Sequence, residues 1–131
     1  MDEKIKMKVE LNVELVVTQE DMDDIMCGAL EGGINYWCDE AEVVGDYLGQ
    51  YASEQISRGG QLKLYDFEAE EKYILTKEKL LEGIKKYCLE PTGCNIVEQI
   101  DGKFVLDCCN ADAEVCDAIV QLALFGEVIY G

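Results

Sequence analysis

Apolar and polar residues alternate with a period of two near the start of the chain. The apolar positions are Ile5, Met7, Val9, Leu11, Val13, Leu15 and Val17. Successive side chains of a β-strand point to opposite faces of its sheet, so this alternation is typical of a half-buried strand. The pattern predicts a long strand over residues 5–17.

Helical periodicity replaces the alternation after residue 17. Thr18 supplies the hydroxyl of an N-cap residue, and Glu20 and Asp21 place negative charge in the first turn. A Gly-Gly pair at residues 32 and 33 predicts the end of this first helix.

Three further helices are predicted. They cover residues 38–58, which Gly59-Gly60 ends, residues 77–90, between Thr76 and Pro91, and the stretch from Asn110 or Asp112 to Gly126. The first of these three helices would carry Tyr47, Leu48 and Tyr51 on its inward face, and a break near Gly45-Asp46 is left open.

Short strand patterns occur in pairs between the predicted helices. Residues 62–65 and 72–75 predict one hairpin, and residues 96–100 and 103–106 predict another around Asp101-Gly102, a dipeptide suited to a tight primed turn. A final short strand is predicted at residues 128–130. The order β-α-α-ββ-α-ββ-α-β predicts one α+β domain over residues 1–131, with two layers, a mostly antiparallel sheet and about four helices.

Charge narrows the classes of function. The chain has 28 Asp and Glu residues against 11 Lys and Arg, a formal net charge of -17, and no histidine. Such a charge repels nucleic-acid phosphates and anionic membranes, and the missing histidine removes the usual general base and the commonest metal ligand. We therefore expect no direct nucleic-acid or membrane binding, no metal or other cofactor, and no enzymatic activity.

Seven cysteines are many for 131 residues, but their number is odd and no Cys-x-x-Cys pair occurs. Several lie at apolar positions of helical patterns, where a free thiol behaves as a small hydrophobe. Cys108 and Cys109 precede the last predicted helix, but the neighbouring Asp107 and Asp112 disfavour a nucleophilic thiolate. The cysteines predict free thiols in a reducing cytoplasm, and the N-terminus lacks the apolar region of a secretory signal.

The acidic residues cluster at predicted helix starts and at one hairpin turn. Carboxylates at helix N-termini gain about 0.3–1 kcal/mol each from the helix dipole, which explains their positions. The helix dipole does not explain the total number of acidic residues, because few lysines balance their negative charge. The alternative is a surface that imitates a phosphate backbone and binds a basic protein. The candidate contacts for that surface are Asp21, Asp23, Asp24, Asp39, Glu40, Glu42, Glu68, Glu70 and Glu71.

A second candidate site combines the only tryptophan with the only arginine. Asn35, Tyr36 and Trp37 lie together in a predicted loop region, and Arg58 lies at a predicted helix end. A stacking ring and one guanidinium are the minimum that could hold a nucleotide. The structural alternative is that Trp37 anchors the core and Arg58 caps its helix.

Three segments together resemble known proteins: ALEGGINYW at residues 29–37, VVGDYLGQYASEQISRGG at residues 43–60, and DAEVCDAIVQLALFG at residues 112–126. They are similar to a family of small acidic proteins found in phages and prophages of Clostridium-like gut bacteria. The resemblance implies a bacterial cytoplasm during infection, where small stoichiometric inhibitors of host defence are common. It implies no catalytic residues.

The leading functional prediction is a non-enzymatic, phage-encoded counter-defence inhibitor, anti-CRISPR-like or similar. Its acidic surface would occupy a basic nucleic-acid-binding face of a host protein in the bacterial cytoplasm. One alternative is a sponge that sequesters a nucleotide immune signal through Asn35, Tyr36, Trp37 and Arg58. Another is an accessory phage protein without an inhibitory role. Homo-oligomerisation is left open.

Overall fold

The computed structural model describes residues 13–131. Its helices are α1 (Gln19–Gly28), α2 (Lys77–Leu89) and α3 (Ala113–Phe125). Its strands are β1 (Leu15–Val16), β2 (Glu40–Val44), β3 (Gln61–Asp66), β4 (Glu71–Leu75), β5 (Val97–Ile100) and β6 (Lys103–Leu106). Of the strand predicted over residues 5–17, the part before residue 13 lies outside the described residues.

The described strands form two three-stranded sheets. In one sheet β3 lies between β2 and β4, and both pairings are antiparallel. In the other sheet β6 lies between β1 and β5, antiparallel to β5 and parallel to β1. The α+β class and the mostly antiparallel pairing are therefore confirmed. The structure has three α-helices and two small sheets in this region, where about four helices and a single sheet were predicted.

The three helices begin at N-cap residues that the sequence predicts. Thr18 and Asp21 form a reciprocal capping box, with each side chain accepting the other residue's backbone N–H at 3.0 and 2.9 Å. Thr76 caps α2, and Asp112 rather than Asn110 caps α3. Gly126 ends α3 in the left-handed conformation with φ 75°.

The predicted helix over residues 38–58 is wrong. A strand, β2, occupies Glu40–Val44, and the only helical turn between β2 and β3 is the 3-10 turn Ala52–Glu54. In β2 the apolar Ala41 and Val43 alternate with glutamates and lie opposite Leu64 and Leu62 of β3. Pairing with a strand that buries both leucines therefore decides the structure of this segment.

The predicted strand at residues 128–130 is also wrong, because the residues of this tail are not in a strand and pair with none of the six strands described above. Its backbone N–H groups at Ile129 and Tyr130 instead donate to the side chain of Gln121, each at 2.8 Å. The tail thus satisfies its hydrogen bonds on α3 rather than in a sheet.

Helix α3 lies in the core, where its residues from Val115 to Gln121 are all buried. It packs against α2, α1 and the π-helical turn Ala29–Gly33 that continues α1. Gly83 of α2 permits close approach, because a Cβ there would lie 2.5 Å from the carbonyl oxygen of Ile119. No helix among residues 13–131 has the length and apolar character needed to cross a membrane.

Candidate functional site

The aromatic residues of the nucleotide hypothesis do not form an open pocket. Trp37 is 5% exposed, and the ring of Tyr130 stacks on it with a centroid distance of 4.7 Å and an interplanar angle of 2°. Tyr73 and Phe125 pack edge-on around the same indole. A base could stack on the Tyr130 side of Trp37 only after displacing the C-terminal tail.

The indole is also part of a hydrogen-bond network on Asp117, which is 8% exposed. The Asp117 carboxylate accepts from Trp37 Nε1 at 2.8 Å, from the Tyr36 hydroxyl at 2.6 Å and from Gln121 Nε2 at 2.8 Å. Burial and the Asp117 carboxylate raise the pKa of Tyr36 to about 12. The Asp117 carboxylate accepts hydrogen bonds from all three donors, and these hydrogen bonds allow a charged side chain of α3 to be buried.

A second buried carboxylate lies where the tail meets β3. The Tyr130 hydroxyl donates to Asp66 Oδ2 at 2.7 Å, and the Ala69 N–H donates to Asp66 Oδ1 at 3.0 Å. The hydrogen bond from Tyr130 lowers the pKa of Asp66, and the Ala69 N–H lowers it further. The Tyr73 hydroxyl lies 3.2 Å from that of Tyr130, so the tail is held by polar contacts as well as by stacking.

Arg58 has structural partners of its own. Its guanidinium lies 3.6 Å from Asp23 of α1 and 3.5 Å from Glu54, and it donates to the backbone carbonyl of Glu54 at 3.2 Å. The neighbouring Ser57 hydroxyl donates to Asp23 at 2.5 Å. Arg58 therefore joins the 3-10 turn to α1, whereas Trp37 joins α3 to the tail. Asn35 is exposed.

The nine acidic candidates fall into two groups on different elements. Asp21, Asp23 and Asp24 belong to α1, where Asp21 completes the capping box and Asp23 is ion-paired, so only Asp24 is fully exposed. The other six lie along β2 and at the β3–β4 turn, and we call them the acidic edge. They are Asp39, Glu40, Glu42, Glu68, Glu70 and Glu71.

All six residues of the acidic edge are exposed. Asp39 accepts the Phe67 N–H at 2.7 Å, which holds the start of β2 beside the β3–β4 turn. The β-sheet register places Glu40 opposite Tyr65 and Glu42 opposite Lys63. The acidic edge therefore extends along β2 and across to the β3–β4 turn, with Lys63 opposite Glu42 and Lys72 next to Glu71 as basic neighbours.

Basic residues are distributed unevenly around this edge. Residues 13–57 and 104–131 contain no Lys or Arg, so every lysine of the described region lies between Lys63 and Lys103. Among the described residues, the ion pairs are those of Arg58 with Asp23 and Glu54. No carboxylate of the acidic edge is held in an ion pair within that region.

All seven cysteines are free, as predicted. Burial, with Asp21 beside it, raises the pKa of Cys108 to about 12, and burial raises the pKa of Cys116 and of Cys88 to about 11. These thiols stay protonated near neutral pH and are poor nucleophiles. Within residues 13–131, no group of three Cys, Asp or Glu side chains could hold a metal ion.

One group of exposed apolar side chains was not predicted from the sequence. Tyr47, Leu48 and Tyr51, expected on the inward face of a helix, are 61%, 50% and 61% exposed in a loop. Glycines at positions 45 and 49 are the signal that could have indicated a loop here.

Comparisons of the chain with protein-family models, with curated proteins and with solved structures gave no match.

Proposed function

We propose that this protein is a non-enzymatic binding protein whose acidic edge occupies a basic, nucleic-acid-binding face of another protein. In the setting implied by the resemblance to phage and prophage proteins, that partner is a host defence protein. The observation that carries the proposal is the acidic edge itself, with six exposed carboxylates that form no ion pair with another residue of the described region, on a chain with net charge -17.

Electrostatics explains how such a surface would act. A protein face that binds nucleic acid carries lysines and arginines spaced to neutralise phosphates. Exposed carboxylates can take those positions, and the field of a strongly charged protein accelerates association with an oppositely charged one. The attraction acts over a Debye length of about 8 Å at physiological salt, so binding should weaken as salt is added.

The buried acids and thiols give no comparable support for catalysis. Asp117 accepts three hydrogen bonds and Asp66 accepts two, so both are occupied in holding the fold. The raised pKa of Cys108 disfavours its thiolate, and the chain has no histidine to act as a base. The nucleotide-sponge alternative gains no support either, because Tyr130 covers Trp37 and Arg58 is ion-paired.

The proposal can be tested with two triple variants that change the charge equally. Glu40→Lys/Glu68→Lys/Glu71→Lys alters the acidic edge, and Glu82→Lys/Glu90→Lys/Glu98→Lys alters exposed positions on and after α2. Each protein is immobilised and used to capture proteins from a nuclease-treated bacterial lysate. A captured protein is then purified and tested for release of a labelled oligonucleotide when the acidic protein is added.

We expect the wild type and the α2-side variant to capture the same nucleic-acid-binding protein and to displace its oligonucleotide. The acidic-edge variant should lose both properties. Equal capture by both variants, or a captured protein that keeps its oligonucleotide, would contradict the proposal.

A further inference from the structure

The loop that follows β2 presents three large apolar side chains to solvent. Tyr47 and Tyr51 are each 61% exposed, and Leu48 is 50% exposed. We call residues 45–51 the tyrosine loop. Single exposed apolar residues are ordinary on protein surfaces, but three within five positions form a concentration that folding does not explain.

The backbone of the tyrosine loop is ordered by a buried side chain. Gln55 is 1% exposed, and its amide accepts from the Leu48 N–H at 2.9 Å and donates to the Asp46 carbonyl at 3.1 Å. Glu54 Oε1 accepts the N–H groups of Gln50 and Tyr51 at 2.8 and 3.0 Å. Two side chains thus fix the loop at four backbone positions.

The loop is also fastened to the body of the protein. Arg58 joins Glu54 to Asp23 of α1, as described above. Gly49 packs so closely that a Cβ there would lie 2.8 Å from Glu54 Cβ. A loop held in this way loses little conformational entropy on binding, and rigid tyrosines are frequent energetic centres of protein interfaces.

Charge identifies the kind of partner. Asp46 belongs to the loop and Glu54 to its support, and Arg58, the basic residue beside the loop, is already paired with Glu54 and Asp23. A second copy of this chain is disfavoured because it would bring two surfaces of net charge -17 together. A basic surface that contains an apolar pocket fits both the tyrosines and the surrounding carboxylates.

The tyrosine loop begins at one end of β2, and the acidic edge extends along β2 from Glu42 to Asp39 and on to the β3–β4 turn at the other end. The five residues of β2, at about 3.4 Å per residue, place the far end of the acidic edge roughly 15 Å from the loop. A standard interface covers about 800 Å² on each partner, which is wide enough to include both features.

We propose that the tyrosine loop is the apolar anchor of an interface with a basic protein, and that Tyr47, Leu48 and Tyr51 enter an apolar pocket on that protein. This inference rests on the proposed function: the acidic edge attracts the basic partner, and the loop supplies contacts that are insensitive to salt.

The test uses phage-displayed random dodecapeptides selected on the immobilised full-length protein. Selected peptides are synthesised, and their dissociation constants are measured by fluorescence anisotropy at 0.05 and 0.5 M NaCl. The test variant is Tyr47→Ser/Leu48→Ser/Tyr51→Ser. The control variant is Leu81→Ser/Leu89→Ser, which removes exposed leucines from α2. Circular dichroism confirms that each variant is folded.

We expect selected peptides to combine Arg or Lys with Leu, Phe or Trp. Their affinity at 0.5 M NaCl should fall at least 10-fold in the loop variant and stay within 2-fold in the control. Basic peptides that bind the loop variant as well as the wild type would overturn the anchor while leaving the proposed function standing. Uncharged peptides that depend on the loop would support a docking surface but contradict the basic partner, and absence of any enriched peptide would overturn the anchor.

Discussion

Asp117 stabilises the fold and belongs to neither of the proposed binding surfaces. It is a buried carboxylate on a helix that is otherwise largely apolar, and three side chains donate to it. One of these donors, Trp37, lies 80 residues away in the sequence. Asp117 therefore fixes the position of the segment after α1 against α3.

Replacing Asp117 with alanine should destabilise the protein by about 2–4 kcal/mol, because the Trp37 and Gln121 donors lose a charged acceptor and are left buried without it. Urea denaturation followed by circular dichroism measures the free energy of unfolding. Glu114→Ala, at an exposed position in the first turn of the same helix, serves as the control and should change stability by less than about 1 kcal/mol, because it loses only the interaction of a carboxylate with the helix dipole. Equal effects of the two substitutions would show that the network contributes little.

Asp66 should give stability a dependence on acid pH. Its pKa is lowered in the folded protein below the usual value of about 3.9, because Tyr130 and Ala69 donate to the ionised form. Its contribution is therefore fully present above pH 4 and is lost as the pH falls through the folded-state pKa. Between pH 4 and pH 2 the free energy of unfolding should fall more steeply for the wild type than for Asp66→Asn.

The matched control is Asp24→Asn, at an exposed position of α1. Its stability should follow the wild-type slope across the same pH range. If the Asp66→Asn and wild-type curves run parallel, the carboxylate is not stabilised by these hydrogen bonds.

At the scale of elements, the tyrosine loop depends on Gln55. The side-chain amide is buried and makes hydrogen bonds to both Asp46 and Leu48. Gly60 leaves space for this side chain, because an added Cβ there would overlap the Gln55 amide. The order of the loop is thus set by a residue that lies after it in the chain.

Gln55→Ala should release the loop. We expect the amide hydrogens of Leu48, Gln50 and Tyr51 to exchange at least 10-fold faster, since the loss of two buried hydrogen bonds favours local opening. Hydrogen exchange measured by mass spectrometry or NMR reports this directly. The exposed Gln50→Ala substitution should leave the exchange of Leu48 and Tyr51 unchanged.

Elements with a strong local signal were predicted well. The capping residues Thr18, Thr76 and Asp112 begin the three helices, and Asp101-Gly102 forms the β5–β6 turn with both residues at positive φ. Residues 38–58 were predicted wrongly because their apolar spacing also suits a helix. Pairing of β2 with β3, which no local pattern encodes, decided that segment.

At the scale of the whole molecule, charge opposes folding. Most carboxylates of the described region are outside ion pairs, so self-repulsion should exceed the favourable contacts at helix starts. We expect the melting temperature at pH 7 to rise as NaCl increases from 0.01 to 0.5 M, because the Debye length shortens from about 30 Å to well below 10 Å. Differential scanning calorimetry measures this shift.

The Glu82→Lys/Glu90→Lys/Glu98→Lys variant provides the comparison, because it lowers the net negative charge without touching the acidic edge. Its melting temperature should respond less to salt than that of the wild type. A wild-type melting temperature that falls with added salt would show that favourable charge contacts outweigh the repulsion.

The existence of an acidic surface could be predicted from the sequence, whereas the residues that form each candidate site could not. The composition alone identified an acidic surface, since charged side chains are exposed in almost any fold. Which carboxylates stay exposed could not be read from the sequence, because Asp23 and Asp66 differ from Glu40 and Glu68 only in their tertiary partners. The exposed tyrosines were missed because the segment was expected to be a buried helix face.

The sequence by itself determined the net charge, the helix starts, the tight turns and the α+β class, because these depend on composition or on residues a few positions apart. Only the tertiary structure decided that Trp37 is covered by Tyr130, that Asp117 gathers three donors, and that the tyrosine loop faces solvent. The contacts of Trp37 with Tyr130 and Asp117 depend on partners distant in the chain, and the loop faces solvent because β2, which precedes it, pairs with β3. Tertiary partners determine which side chains are buried and hydrogen-bonded, and the local sequence pattern does not identify those partners.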